Sequence, residues 1–314
     1  MAQIATLGEI LVEIMATRIG QTFLEPGLFA GPYPSGAPAI FADQAARAGA
    51  TVAMIGCVGP DDFGTLNLNR LRASGVDVRA IRRVPGATTG SAFVAYKADG
   101  SRDFIFNIAN SAAAALDAAQ LEPELLAGAS FFHVMGSSLF SPQIAAAVRR
   151  GVELARAAGA KVSFDPNIRK ELLALPEVEE TIAAVLEACD VLLPSEADLA
   201  HLCPGMGEEE AARSLLAGGR EMVLVKKGVQ GSVYFDRERR VATPAFPAEE
   251  VDPTGAGDCF GGTFVACLAQ GVPLERALLL ANAAGALAVG RKGPMEGNST
   301  MTELEAALAG WGAA

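Results

Sequence analysis

Two periods run along this chain. Short continuous apolar runs predict buried strands, and longer stretches with apolar residues three and four apart predict helices covered on one face. Ile4 to Met15 (IATLGEILVEIM) reads as a strand: an apolar run, a Gly, then alternation through Glu13. Residues 16–35 follow neither period and are rich in Gly and Pro. Helical spacing covers Ala37 to Ala48 and stops before Gly49. Val52 to Val58 is a continuous apolar strand, Gly59 to Gly64 (GPDDFG) a turn, and Thr65 to Ser74 a helix that Gly75 ends.

The pattern then changes. Val78 to Val84, Gly90 to Lys97 and Asp103 to Ile108 alternate or are rich in β-formers, with the turn signal Asp99-Gly100 between two of them. They predict a small antiparallel sheet. From Phe131 onward strands and helices take turns. The strands are Phe131 to Met135, Lys161 to Asp165, Val191 to Leu193 and Met222 to Lys226. The helices are Gln143 to Ala158, Val178 to Ala188, Glu196 to Leu202 and Glu208 to Ala217. Val241 to Val251 is extended, and helices are expected over Ala256 to Gln270, Leu274 to Val289 and Met301 to Leu308. This order predicts an α/β fold: a doubly wound, mostly parallel sheet flanked by helices, with a small β-sheet lid. We expect one domain over residues 1–314, its lid formed by about 16–35 and 88–108. Ligands of such sheets sit beyond the carboxyl ends of the strands. That puts Asp165-Pro166-Asn167, Pro194-Ser195-Glu196, Lys226-Lys227-Gly228 and the Gly-rich stretch after Val251 on one rim. A lid over that rim would keep water away from a transfer reaction.

Composition narrows the partners. The chain has 314 residues, 51% of them apolar, enough for a sizeable core. Its net charge of −11 argues against a nucleic-acid partner, which calls for a basic patch. Nucleotide binding stays open, because backbone donors, a metal and one or two cations suffice. The cysteines (Cys57, Cys189, Cys203, Cys259 and Cys267) are odd in number and lack Cys-x-x-Cys spacing. Reduced thiols in a cytoplasm fit better than a disulfide framework or a zinc site. The first apolar run carries Glu9 and Glu13, unlike a signal peptide. Ala277 to Val289 is interrupted by Asn282 and Gly285 and is too short to span a bilayer. The expectation is a cytoplasmic protein with a small-molecule partner and no membrane partner.

The candidate chemistry lies in Asp252-Pro253-Thr254-Gly255-Ala256-Gly257-Asp258. Small residues let the backbone turn tightly and expose N–H groups. Where a helix begins here, its orphan donors and positive dipole end point at one spot, a seat for phosphate. Asp258 in the same turn is placed to take a proton from a hydroxyl attacking a phosphoryl group. On the glycines alone, an ordinary Gly-rich turn with an N-cap Asp is the commoner meaning.

The order of motifs decides between these. The 252–258 stretch resembles the C-terminal signature of the PfkB-type carbohydrate kinases, also called the ribokinase family. Gly36-Ala37-Pro38-Ala39 and its helix ending Ala46-Arg47-Ala48-Gly49 lie where that family has its N-terminal Gly-Gly motif. Val58-Gly59-Pro60-Asp61-Asp62-Phe63-Gly64 and Gly75-Val76-Asp77 follow in the family's order. Asp165-Pro166-Asn167-Ile168-Arg169, and Gly293 after Arg291-Lys292, resemble the fructokinase and 2-keto-3-deoxygluconate kinase branch. The resemblance covers nearly the whole chain. It implies an ATP-dependent sugar kinase using Mg2+, with Asp258 as general base and the N–H groups of Gly255, Ala256 and Gly257 as the anion hole. It puts Lys226 near the nucleotide phosphates, Arg169 toward the phosphates or the acceptor, and Gly228 and Asn282 at the adenine pocket. Ser195 and Asp198 stand where the family has Asn-x-x-Glu near Mg-bound water; Ser195 reads equally well as a helix N-cap. Members often bind a monovalent cation through carbonyls, K+ being the expected ion. The matching positions are Asp252, Thr254, Ala288, Arg291 and Gly293.

The sugar half departs from the family pattern. The Gly-Gly-x-x-x-Asn motif has Ser35 for its first Gly and Ile40 for its Asn, leaving Ser35, Gly36 and Ala37 beside the substrate. The family's sugar-binding aspartate is here Glu13, five residues after Gly8. A carboxylate there still accepts hydrogen bonds from a diol and repels an acid substrate. The Arg of the keto-deoxygluconate branch's Phe-x-Phe-Tyr-Arg segment is absent from Phe104-Ile105-Phe106-Asn107-Ile108. A neutral ketohexose such as tagatose or fructose therefore fits better than an aldonate. Residues 35–41 resemble bacterial kinases assigned to tagatose. A 2-keto-3-deoxygluconate kinase, a nucleoside kinase, or a catalytically silent sensor remain the alternatives. Arg102, Asn107 and Asn110 are candidates for hydroxyl contacts from the lid. Phe104 and Phe106 are read as lid core, and His133 as a structural residue at a strand end. A free apolar lid face is a liability, so a homodimer with its lids packed together is expected.

Overall fold

The computed structural model describes residues 2–99, 101–168 and 176–313. Its strands are β1 (Ile4–Leu7), β2 (Leu11–Ala16), β3 (Phe29–Ser35), β4 (Val52–Val58), β5 (Ile81–Arg83), β6 (Gly90–Tyr96) and β7 (Arg102–Asn107). They continue with β8 (Phe131–Met135), β9 (Lys161–Asp165), β10 (Val191–Leu192), β11 (Met222–Lys226), β12 (Ser232–Phe235) and β13 (Arg240–Thr243). The helices are α1 (Ala37–Arg47), α2 (Asp62–Ala73), α3 (Pro142–Ala157), α4 (Pro176–Ala188), α5 (Glu196–Leu202), α6 (Glu208–Ala217), α7 (Ala256–Ala269), α8 (Leu274–Val289) and α9 (Met301–Gly310).

Strands with apolar residues at every position need cover on both faces. All residues of β4 and β8 are buried. They belong to a nine-stranded sheet of order β13-β12-β11-β10-β9-β8-β1-β4-β5. It is parallel from β11 to β5, and β12 and β13 join antiparallel at one edge. One core, with Phe41, Phe264 and Leu280, lies under α1, α7 and α8; the other, with Val148, Val185 and Leu215, lies under α3, α4 and α6. β3-β2-β6-β7 form a separate four-stranded sheet.

Four expectations need correction. Ile4 to Met15 is not one strand: β1 enters the large sheet and β2 the small one. Gly8 lies between them at φ +147°, where a Cβ would come within 2.2 Å of Ser138 Oγ, so only Gly fits this crossing. Residues 81–83, expected in the small sheet, pair in parallel with β4 instead. β3 forms inside a stretch read as irregular; it carries Pro32 and Pro34, and its edge position tolerates them. The small sheet is mixed, because β2 and β6 run parallel.

Candidate active site

The rim inferred from the sequence exists. α7 begins at the Gly-rich turn, with Gly255 as N-cap at φ +83°. A Cβ on Gly255 would lie 2.4 Å from the Pro294 carbonyl oxygen, so the turn fits its neighbour only with Gly there. Ala256 and Gly257 supply the first helical N–H groups, which have no carbonyl one turn before them. The Ala256 N–H makes only a long contact, 3.4 Å, to Pro253 O. Asp258 completes the first turn and is 9% exposed. The arrangement offers an anion seat beside a carboxylate.

Lys226 ends β11 with its ammonium 3.5 Å from where a Gly257 Cβ would stand. It forms a short ion pair with Asp165, which ends β9 and is buried. Burial works against the Lys226 charge, yet Asp165, Asp198 and Asp258 outweigh it and hold its pKa above the ordinary lysine value. Burial pushes the Asp165 carboxyl up, against the pull of Lys226. Lys227 turns away, to Glu208 at 2.5 Å and Glu196 at 3.4 Å.

Ser195 and Asp198 close a capping box on α5. Asp198 Oδ2 accepts from Ser195 N (2.8 Å) and Ser195 Oγ (2.6 Å), and Oδ1 accepts from Ile168 N (2.9 Å). Both carboxylate oxygens are thus engaged within the fold, a poor fit for direct ligation of a divalent metal. Among the described residues no group of three or more His, Cys, Asp or Glu side chains could hold a metal ion. Asn282 donates to Ser232 Oγ and to Leu278 O, both at 2.8 Å. Gly228 opens a 3-10 turn at φ +52° with open space around it. Arg169 lies outside the described residues.

The stretches expected to hold a monovalent cation lie side by side. The buried Asp252 carboxylate accepts from Thr254 N (3.1 Å) and Gly293 N (3.0 Å), and Val251 N and Asp252 N both donate to Val289 O. The Ala288 carbonyl accepts from Gly290 and Arg291 N–H groups at the end of α8.

The register of the small sheet sorts the sugar residues. Glu13 pairs with Tyr33 on one side and Ala92 on the other, and Ala92 with Phe106. Directly paired residues share a face, so Glu13, Tyr33 and Phe106 point the same way, and so do Met15, Phe104, Tyr96 and Arg102. Ser35 Oγ donates to Glu13 Oε1 at 2.6 Å. Gly36, at φ +109°, starts α1 where a Cβ would be 2.4 Å from Glu9 O, and Ala37 follows it. Phe104 and Phe106 stack at 5.1 Å on the Glu13 face, and Phe106 is 52% exposed. The pair is therefore not enclosed as a core would be, since Phe106 stands half-exposed on this face. Asn107 pairs with Ser91 on the face opposite Glu13 and donates to its hydroxyl at 3.3 Å. Asn110 lies in the loop after β7. Arg102 reaches Thr254 Oγ1 at 2.8 Å. His133 is central in β8, not at its end; its ring stacks on Phe41 at 3.7 Å and bonds Ser163. Burial, then Lys226, lower its pKa to about 3, so it stays neutral.

Asp165, Tyr33, Tyr96 and Lys292 also belong to this region and were not singled out as site residues. Asp165 carries a readable sign, an acid closing an apolar strand on the rim. The others depend on strand pairing, which local periodicity does not encode.

Comparison with known proteins agrees with this geometry. The family model described as pfkB family carbohydrate kinase matches residues 30–301. Fructokinase-1 of Oryza sativa subsp. japonica is 35% identical over 312 residues, 96% of this chain and 95% of that protein. An E. coli protein crystallised with ATP and Mg2+, provisionally described as a ribokinase II, is 49% identical with a TM-score of 0.94, covering 98% and 99% of the two chains. A Vibrio cholerae O395 fructokinase double mutant with fructose, ADP and potassium ion bound is 25% identical with a TM-score of 0.82, covering 98% of each. With the family model spanning both the Glu13-side sheet's edge strand and the Gly-rich turn, this chain belongs to the pfkB family of carbohydrate kinases, and it is a sugar phosphotransferase.

Proposed function

We propose that the protein transfers the terminal phosphoryl group of ATP to a hydroxyl of a neutral ketohexose, with fructose and tagatose as the leading candidates. The juxtaposition of Asp258, Gly257 and Lys226 carries this reading. Asp258 takes the proton of the attacking hydroxyl as its oxygen bonds to phosphorus. The bond to the bridging oxygen of ADP breaks, and ADP leaves with the electron pair. The N–H groups of Gly255, Ala256 and Gly257 and the Lys226 ammonium receive the charge that develops on the phosphoryl oxygens. Mg2+, bound with the nucleotide, neutralises phosphate charge. K+ between the 252–254 and 291–293 segments would steady the same turn. The rice relative named as a fructokinase and the Vibrio enzyme with fructose and potassium support these assignments for this chain.

Glu13 and Ser35 support a polyol rather than an acid. The carboxylate accepts from hydroxyls and repels an aldonate, and the Phe104–Phe106 stack offers an apolar wall to the ring's C–H face. The small sheet acts as the lid of a single domain, and its outer face is the proposed contact in a homodimer.

The test is a coupled ADP-release assay over ketohexoses, aldonates and nucleosides, for the wild type and Asp258→Asn. Fructose or tagatose should give the highest kcat/KM, and Asp258→Asn should lower kcat about 10³-fold while ATP binding by calorimetry survives. Preference for an aldonate or nucleoside would replace the proposed substrate. Absence of ADP release with every acceptor would favour a sensor, and an active Asp258→Asn enzyme would remove the base.

A further inference from the structure

The small sheet meets the rest of the protein at the two segments that pin the Gly-rich turn. It does so through side chains that the transfer step does not use. Arg102 Nη1, at the start of β7, donates to Thr254 Oγ1 at 2.8 Å. Tyr96, its partner at the end of β6, donates its hydroxyl to Met15 Sδ at 3.5 Å. Lys292 Nζ donates to Ala16 O at the end of β2 (3.2 Å) and lies over the Tyr96 ring at 5.9 Å. The Tyr33 ring sits 2.9 Å from where a Gly293 Cβ would be. Asp252 in turn holds Thr254 N and Gly293 N. The residues gripped from the small sheet are therefore the ones that set the entry to Gly255, the α7 N-cap.

We propose that Arg102 is a positioning residue for phosphoryl transfer: seated on the small sheet, it holds Thr254, the residue before the α7 N-cap, so that the 255–257 N–H groups converge. The claim rests on reading 252–258 as the transfer turn. It gives Arg102 a role different from the sugar contact expected of it, because its guanidinium is committed to Thr254. A charge-assisted bond at this point restrains the turn before the barrier is climbed. Its loss then appears in kcat, while the sugar, held by Glu13 and Ser35, keeps its KM.

A double-mutant cycle tests this, with the most active sugar of the panel as acceptor and thermal melting as the folding control. Arg102→Ala and Thr254→Val should each lower kcat about 10- to 100-fold with both KM values within about threefold. The double variant should be no worse than the poorer single, because both remove one bond. Thr254→Ser, which keeps the hydroxyl, and Arg102→Lys should recover part or all of the loss. Additive effects in the cycle, or a raised sugar KM at unchanged kcat in Arg102→Ala, would overturn the proposal; the latter outcome makes Arg102 a sugar ligand. Asp258→Asn in the same series separates the two levels. If it stays active, the transfer-turn reading itself fails; if it is dead while the cycle is additive, only the positioning role fails.

Discussion

Gly255 and Asp258 stand three residues apart and were legible in different ways. Asp258 could be read from its place after a Gly turn. The demand on Gly255 is a positive φ and the Pro294 carbonyl 2.4 Å from a notional Cβ, a contact made by a residue far along the chain. Gly255→Ala should therefore distort the turn, lowering kcat about 100-fold and stability by about 1–3 kcal/mol. Kinetics and urea denaturation check this, and a variant with wild-type kcat would contradict a converging N–H seat. Glu13 was readable from its spacing after Gly8 only as a candidate sugar ligand, whereas its hydrogen bond to Ser35 depends on β2 and β3 lying side by side. The face that Asn107 takes depends on register in the same way. A polar residue beside Phe106 is no guide to which face it takes until the register is known.

Among the elements, α5 shows how a motif can have a structural meaning. Ser195 and Asp198 satisfy each other's backbone N–H groups and Asp198 also caps Ile168, so they order the rim between β9 and β10. Ser195→Ala should cost about 1 kcal/mol by denaturant titration and leave kcat within a few-fold. A large kcat loss at unchanged stability would instead assign Ser195 to the nucleotide. The helices and central strands matched their apolar periods closely, since β4, β8 and β11 are covered on both faces and α7 and α8 pack against the core. The small sheet was read less well. β3 is disguised by its prolines, and the β1–β2 boundary is invisible to a count of apolar positions.

At the scale of the molecule, the outer face of the small sheet stands out. Ile14, Phe93 and Ile105 form a row across β2, β6 and β7, and Ile105 is 46% exposed. Such a row favours cover, and a second copy of the same sheet would supply it. The proposed dimer should appear as twice the chain mass in light scattering at micromolar concentration, and Ile105→Asp should shift it to monomer. A monomeric wild type would overturn it. Among the described residues no helix is long and apolar enough to cross a membrane, and all five cysteines are free and buried.

The sequence by itself determined the α/β alternation, the Gly-rich turn and its acid, because buried strands, helix faces and tight turns each leave a local signature in residue type. Tertiary structure alone decided which sheet β2 and β5 joined, which residues of the small sheet share a face with Glu13, and that Arg102 meets the turn. Those outcomes depend on strand order and register, relations between segments more than a hundred residues apart in the case of Arg102 and Thr254, and no local pattern encodes them.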